Sequence, residues 1–242
     1  MLQLLKAEFR KLFTTRSTYV LLFIVFALMC LAEFYVAGYR STELAWDSHL
    51  FMAEIFQATN YTSIFIAFVT LLLVANEYRY NTIAYTLTGA KNRTRVFVAK
   101  FIVMTVFALV CSLAIQALTP LLVQLGSFLR GTDLAHQSIY YWDTLWRCLF
   151  FTWGFSAFAF VTAFLVRSQV AASLLLFVWP TTGEGLIGLL LKGNARFLPF
   201  QALGSLQYEG DMSHGQAALV FLGEIIVLLS VTYYLFRTRD AN

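Results

Sequence analysis

Six apolar runs, each about as long as a hydrocarbon core is thick, punctuate this chain, and its lysines and arginines alternate in density between the gaps. Crossing such a core takes roughly 20 apolar residues at about 1.5 Å of rise each. The runs lie at 19–38, 58–75, 98–126, 146–166, 169–184 and 216–236. With the N-terminus placed in the cytoplasm, the inner segments carry Lys6, Arg10, Lys11, Arg16, Arg79, Lys91, Arg93, Arg95, Lys100, Arg167, Arg237 and Arg239. The outer segments carry only Arg40, Arg130, Arg147, Lys192 and Arg196. That is the asymmetry of the positive-inside rule, and it puts both termini inside.

The acidic residues agree. Glu33, Glu43, Asp47, Glu54, Asp133, Asp143, Glu209 and Asp211 fall outside, against Glu8, Glu77 and Asp240 inside. The net charge of +4 is therefore mainly an inner-leaflet property, suited to anionic headgroups. It points away from nucleic acid, because no basic patch sits on a folded soluble domain. A chain with 60% hydrophobic and 12% charged residues also lies far from the soluble average. Cys30, Cys111 and Cys148 lie in or beside apolar runs and read as small apolar filler, not as a disulfide framework. Eighteen residues precede the first run and no small-x-small cleavage pattern follows it, so that run is expected to be a retained span. The expectation is an all-α membrane protein with an N-terminal element at 1–18 and one six-helix domain at 19–242.

Residues 2–16 have the pattern of an amphipathic helix. Leu2, Leu5, Phe9, Leu12 and Phe13 share one face, and Gln3, Lys6, Arg10 and Thr14 share the opposite one. Such a helix lies in the inner interface at right angles to the first span, whether as a simple anchor or as a working part. Between the second and third runs, residues 76–97 form the longest inner loop. Ile83, Ala84 and Leu87 fall at helical spacing, with Gly89 expected as a C-cap and a basic turn at 91–95. A short helix under the membrane offers a docking surface for a soluble partner.

Glu77-Tyr78-Arg79, then Thr82-Ile83, Leu87, Arg93 to Arg95 and Lys100 opening the third run, together resemble the permeases of type-2 ATP-binding-cassette (ABC) exporters. The amphipathic start, six spans and inner termini resemble that family too. The resemblance implies a coupling helix that meets a separate ATPase, with Glu77, Tyr78, Arg79, Thr82, Ile83, Leu87 and Arg93 as its coupling residues. It also implies that the interfacial helix, through Leu5, Phe9, Arg10 and Leu12, packs beside that loop. On this reading Asp at Ile83 or Leu87 uncouples transport from ATP hydrolysis. No Gly-rich nucleotide loop with its Lys occurs in the sequence. The resemblance thus implies a non-catalytic subunit with no cofactor of its own, ATP and Mg being bound by an ABC ATPase partner. It further implies a second permease copy (homodimer) or a homologous permease, and a multi-pass place in a cell membrane, the prokaryotic inner or plasma membrane.

Ionisable and polar residues inside apolar runs are candidates for function, since burying them is costly. Gln116 and Glu224 are the clearest, with Glu184 near the outer interface, and all three are candidates for the translocation path. A line of groups facing a cavity and isolated packing contacts are both open for Gln116 and Glu224. Pro180 is expected to break or kink the fifth helix, with 181–185 as a bend and 185–200 as a re-entrant or interfacial outer segment. The resemblance also implies such a segment, and its place suits a gate at the outer exit. The 24 Phe suit an amphipathic, peptide or lipid-like substrate.

Two other readings compete. Gly154-Phe155-Ser156-Ala157 matches the Gly-x-Ser-Ala pattern of rhomboid-type intramembrane serine proteases, which need a His to take the serine proton. His214 is the one histidine that could approach, and the small residues around Ser156 also suit close helix packing. Three scattered His give no zinc spacing. An ATP-independent membrane immunity protein is the other alternative. A passive channel fits less well, since no polar face repeats through several spans.

Overall fold

The computed structural model describes residues 1–14, 16–32, 34–35, 39, 48–90, 92–131, 141–207 and 212–238. Every regular element among them is helical. A helix satisfies its own N–H and C=O groups, which hydrocarbon requires of any open segment crossing it. In chain order these are α1 (Leu2–Thr14), α2 (Arg16–Ala32), α3 (Ser48–Arg79), α4 (Ile83–Ala90), α5 (Arg93–Arg130), α6 (Tyr141–Val166), α7 (Gln169–Val178), α8 (Glu184–Leu191), α9 (Pro199–Gly204) and α10 (His214–Thr238). The stretches Ala58–Arg79, Arg93–Arg130, Trp142–Val166, Gln169–Leu191 and His214–Thr238 are long and apolar enough to cross a membrane. The chain is an all-α membrane protein.

The expected first span corresponds to α2, which is 17 residues long and turns 63° from α1, less than the right angle expected. Residues 33 and 36–38 at the end of that run lie outside the described residues. So do Arg40, Glu43, Trp46, Asp47, Lys91, Asp133, His136, Glu209, Asp211, Arg239 and Asp240. The central helices outrun their apolar runs. Asn92 caps α5 by accepting the Thr94 N–H at 2.9 Å, and Gly131 ends it in the left-handed region at φ 79°.

Helices α3, α5 and α6 make the centre, with α7 against α3 and α6, and α10 against α6, α9 and α5. Small residues permit this closeness. A Cβ on Gly154 would stand 2.9 Å from both Leu203 Cδ1 and Phe221 Cε1, so the bare glycine is what lets α9 and α10 press onto α6. A buried hydroxyl seam ties the three central helices: Ser63 Oγ lies 2.9 Å from Thr152 Oγ1, which donates to Ser112 Oγ at 3.2 Å. The described cysteines are free, with Cys111 and Cys148 buried in this packing.

The fifth helix corrects the expected break. Pro180 lacks an N–H, and the chain answers with one widened turn, Trp179–Gly183, closed by the Glu184 N–H on the Trp179 carbonyl. The helix then runs on through α8 within one apolar stretch, Gln169–Leu191, so of the expected bend Thr181, Thr182 and Gly183 lie in the π-turn and Glu184 and Gly185 open α8. Beyond Leu191 a 3₁₀ stretch, Lys192–Phe197, turns the chain back into α9. The two limbs are pinned together by Glu184, whose carboxylate accepts the Phe200 N–H at 2.9 and 3.0 Å and the Gln201 N–H at 3.1 Å. The segment 185–200 is thus a helical hairpin, with Phe200 seated between Phe155 and Phe158 of α6.

Candidate functional site

Side-chain contacts gather the helix ends into two groups. At one end Arg79 donates to Gln169 at 2.9 Å, joining α3 to α7, and Arg93 donates to the carbonyls of Phe236 and Arg237 at 3.3 and 3.2 Å, joining α5 to α10. A guanidinium against the last carbonyls of α10 also opposes its helix dipole. At the opposite end Arg147 pairs with Asp143 at 2.8 Å, donates to the Leu206 carbonyl at 3.3 Å and lies 3.2 Å from His214 Nε2. The first group, which also holds Lys11 and Lys100, is the basic end.

Four ionised side chains meet at that basic end. Lys100 of α5 donates to Glu8 Oε2 of α1 at 2.7 Å and to Glu77 Oε1 of α3 at 2.8 Å. Lys11 of α1 donates to Glu8 Oε1 at 2.8 Å, to Glu77 Oε1 at 2.7 Å and to Thr86 Oγ1 of α4 at 3.3 Å. Glu8 and Lys100 are 0% exposed. Two carboxylates and two ammoniums cancel, which is what lets such a group be buried at all. Half-burial pulls the Lys11 ammonium down, but Glu77 and Glu8 more than offset it and raise it above its ordinary value. Lys11 therefore keeps its charge at neutral pH, and its contribution fades only as pH climbs through that raised value.

Local sequence explains why α4 reaches this cluster. Asn81 sits in the left-handed region at φ 53°, where Asn is among the tolerated residues. The Thr82 N–H bonds the Glu77 carbonyl at 2.9 Å and the Asn81 N–H bonds the Tyr78 carbonyl at 3.3 Å, the double closure of a Schellman motif. The chain thereby turns sharply off α3, and Thr82 starts α4 by accepting the Thr86 N–H. Gly89, expected to cap this helix, lies inside its last turn.

Most of the expected coupling residues brace α4 and the helix ends around it. Ile83, 3% exposed, and Leu87 pack into the main apolar cluster, so they hold α4 down and do not face outward. Tyr78 turns to α6, edge-on to Phe164 at 6.3 Å and beneath the Arg167 guanidinium at 5.6 Å. Arg79 stacks on Tyr80 at 5.4 Å. The outward face of α4 is formed by Ala84, Tyr85 (79% exposed) and Thr88. On α1, Leu5, Phe9 and Leu12 pack inward, whereas Leu2 and Phe13 of the same apolar face are exposed, as is Arg10. The helix is rolled so that Glu8 faces the two ammoniums, which leaves the two terminal apolar side chains exposed.

Glu8, Lys11 and Lys100 escaped selection as site residues from sequence. A signal existed: Lys100 lies within the third apolar run, where a lysine needs a partner. Glu8 is the one acid of α1, one turn from Leu12 on the buried side.

The expected path residues fall into separate settings. Gln116 is buried and donates to Thr59 Oγ1 at 2.9 Å, a contact that packs α5 on α3. Glu184 is the buried pin of the α8–α9 hairpin. Glu224 is half-buried, and its Oε2 has no hydrogen-bond partner among the described residues. The serine of the protease-like motif is likewise isolated: Ser156 is fully buried, its Oγ has no hydrogen-bond partner among the described residues, and His214 is held by Arg147, nine residues and about 14 Å of helix away. Among the described residues no cluster of His, Cys, Asp and Glu could hold a metal ion.

Comparison with known proteins agrees with this geometry. No curated protein matches the chain in sequence. The family model of the ABC-2 family transporter proteins matches residues 4–182, which include the whole charge cluster and α4. Well over half of the 242 residues are matched, and this chain belongs to the ABC-2 transporter family, as a membrane permease of an ABC transporter.

Proposed function

We propose that this permease is one half of an ATP-driven exporter, coupled to a separate ABC ATPase through the outward face of α4. The observation that carries the reading is the buried cluster of Glu8, Lys11, Glu77 and Lys100, with Thr86 at its edge. It ties α4 to α1 and to two central helices, so a push on α4 is delivered to both the interfacial helix and the bundle. Ala84, Tyr85 and Thr88 present the docking face. Ile83 and Leu87 serve as its footing, and Asp at either position acts first by dislodging α4. The chain itself is non-catalytic and carries no cofactor, with ATP and Mg bound by the ATPase. Its place is the prokaryotic inner or plasma membrane, with the basic end in the cytoplasm.

A second permease copy completes the path. Only 11% of the Gln169–Leu191 apolar window is buried within this chain, which leaves that helix against lipid or against a partner half. The aromatic-rich bundle suits an amphipathic, peptide or lipid-like substrate.

The test is purification of the tagged chain in mild detergent, with identification of what accompanies it. An ABC ATPase is expected in stoichiometric amount, and Ala84→Asp and Thr88→Asp are expected to lose it while melting as the parent does. A parent preparation free of any ATPase, or full retention in both variants, refutes the coupling face.

A further inference from the structure

A cavity of about 660 Å³ opens at the basic end, where α3 stops and the chain passes from α6 to α7. Sites that seat small molecules span roughly 300–1,000 Å³. The backbone builds its corner. Arg167 sits in the left-handed region at φ 55°, and its N–H closes α6 on the Ala163 carbonyl at 3.2 Å. Ser168 then caps α7, its Oγ accepting the Ala171 N–H. The chain thus turns within two residues, and both side chains line one space with Arg79, the last residue of α3.

The polar wall is rich in donors. Arg79 gives one N–H of its fork to Gln169 Oε1 at 2.9 Å, and the residue is otherwise exposed. Ser168 keeps its O–H to give, whereas Ser173 spends its own on the Gln169 carbonyl at 2.7 Å. Arg167 adds a second guanidinium, 5.6 Å from the Tyr78 ring centre. Among the described residues the lining holds two cations and no carboxylate. Such a wall favours an anion, and the planar fork of Arg matches a phosphate.

The apolar wall indicates what carries that phosphate. Val170 and Leu174, about one turn apart on α7, are 71% and 59% exposed. They open the membrane-crossing stretch Gln169–Leu191, so hydrocarbon lies directly beside the charged corner. The geometry points to a site for an anionic phospholipid of the leaflet at the basic end. Its phosphodiester lies on Arg79 and the Ser168 hydroxyl, Arg167 supplies the second charge, and an acyl chain follows Val170 and Leu174. A zwitterionic lipid would bring its own ammonium against the two guanidiniums, which opposes its binding. The bound lipid bridges the end of α3 to the corner between α6 and α7.

The probe is an equimolar mixture of phosphatidylglycerol and phosphatidylcholine with the same acyl chains. It is added to the full chain in mild detergent and read by native mass spectrometry. Relief of one like-charge contact at a protein surface predicts about a tenfold preference for phosphatidylglycerol. Val170→Glu sets a carboxylate at the mouth from an exposed position, and Arg79→Gln removes a cation. Both are expected to abolish the preference. Val170→Gln is expected to keep it, as is Lys6→Gln, which removes a positive charge from an exposed position on α1. Equal retention of the two lipids by the parent overturns the site. So does a preference that Val170→Glu leaves untouched or that Lys6→Gln removes as fully. An excess of inorganic phosphate is expected to leave the lipid bound; displacement would assign the corner to free phosphate and overturn the lipid. No ATPase is present in this assay, so its outcome is independent of the coupling reading.

Discussion

Lys100→Met tests the charge cluster most directly. Lys100 is fully buried and bridges Glu8 and Glu77 at 2.7 and 2.8 Å, so its removal leaves two carboxylates facing the single ammonium of Lys11. Breaking a buried pair by deleting one partner costs about 3–5 kcal/mol, because the orphaned charge stays desolvated. Methionine fills much of the lysine stem, so little of that loss is cavity formation. Adding Glu8→Gln restores neutrality, leaving Lys11 paired with Glu77 at 2.7 Å. The double variant is therefore expected to recover about 2 kcal/mol or more of the loss, a coupling of the size seen for residues in one network. Thermal unfolding in detergent gives the order of stability, and limited proteolysis at the α1–α2 junction shows whether α1 has lifted off. A single variant as stable as the parent, or a double variant whose loss is the plain sum of its parts, would refute a working ion cluster.

The remaining expectations concern the opposite end and the bundle. Glu184→Ala leaves the Phe200 and Gln201 N–H groups without their acceptor and should cost about 1–3 kcal/mol, with Glu184→Gln intermediate; thermal melts with protease mapping of residues 192–204 decide it. Gly154→Ala places a methyl against Leu203 and Phe221 and should destabilise by about 1–3 kcal/mol, read in the same melts. Ser156→Ala removes a hydroxyl that has no hydrogen-bond partner among the described residues, so it should leave stability and transport unchanged; loss of a proteolytic activity in this variant would revive the enzyme reading.

The spans were legible because lipid imposes a single length and a single polarity on whatever crosses it, and five described helices meet that demand. The end of the fifth was misread because sequence shows Pro180 as a missing donor but not the wider turn that absorbs it. The outward face of α4 was not legible for a related reason. Ile83 and Leu87 mark an apolar side, and pattern alone does not say whether that side meets a partner or the protein's own core. Glu8 was counted as one charge among the inner ones, since its pairing with Lys100 of α5 depends on a residue 92 positions away.

That separation in sequence bears on why a cluster of charges stands there at all. Apolar helix faces in lipid are nearly interchangeable, because no hydrophobic force between helices selects one register over another. Leu5, Phe9 and Leu12 could pack against α5 at several offsets of one turn with similar contact. Glu8 is not free in this way, since a shift of about 5.4 Å would break the Lys100–Glu8 and Lys11–Glu77 pairs and leave each of the four ions with one charged partner in place of two. A buried ion group adds little stability over a well-packed apolar one, so its use here is to fix position. It fixes α1 against α5 and, through Lys11 and Thr86, both of them against α4. An element that must pass a displacement along needs such a joint more than it needs additional stability.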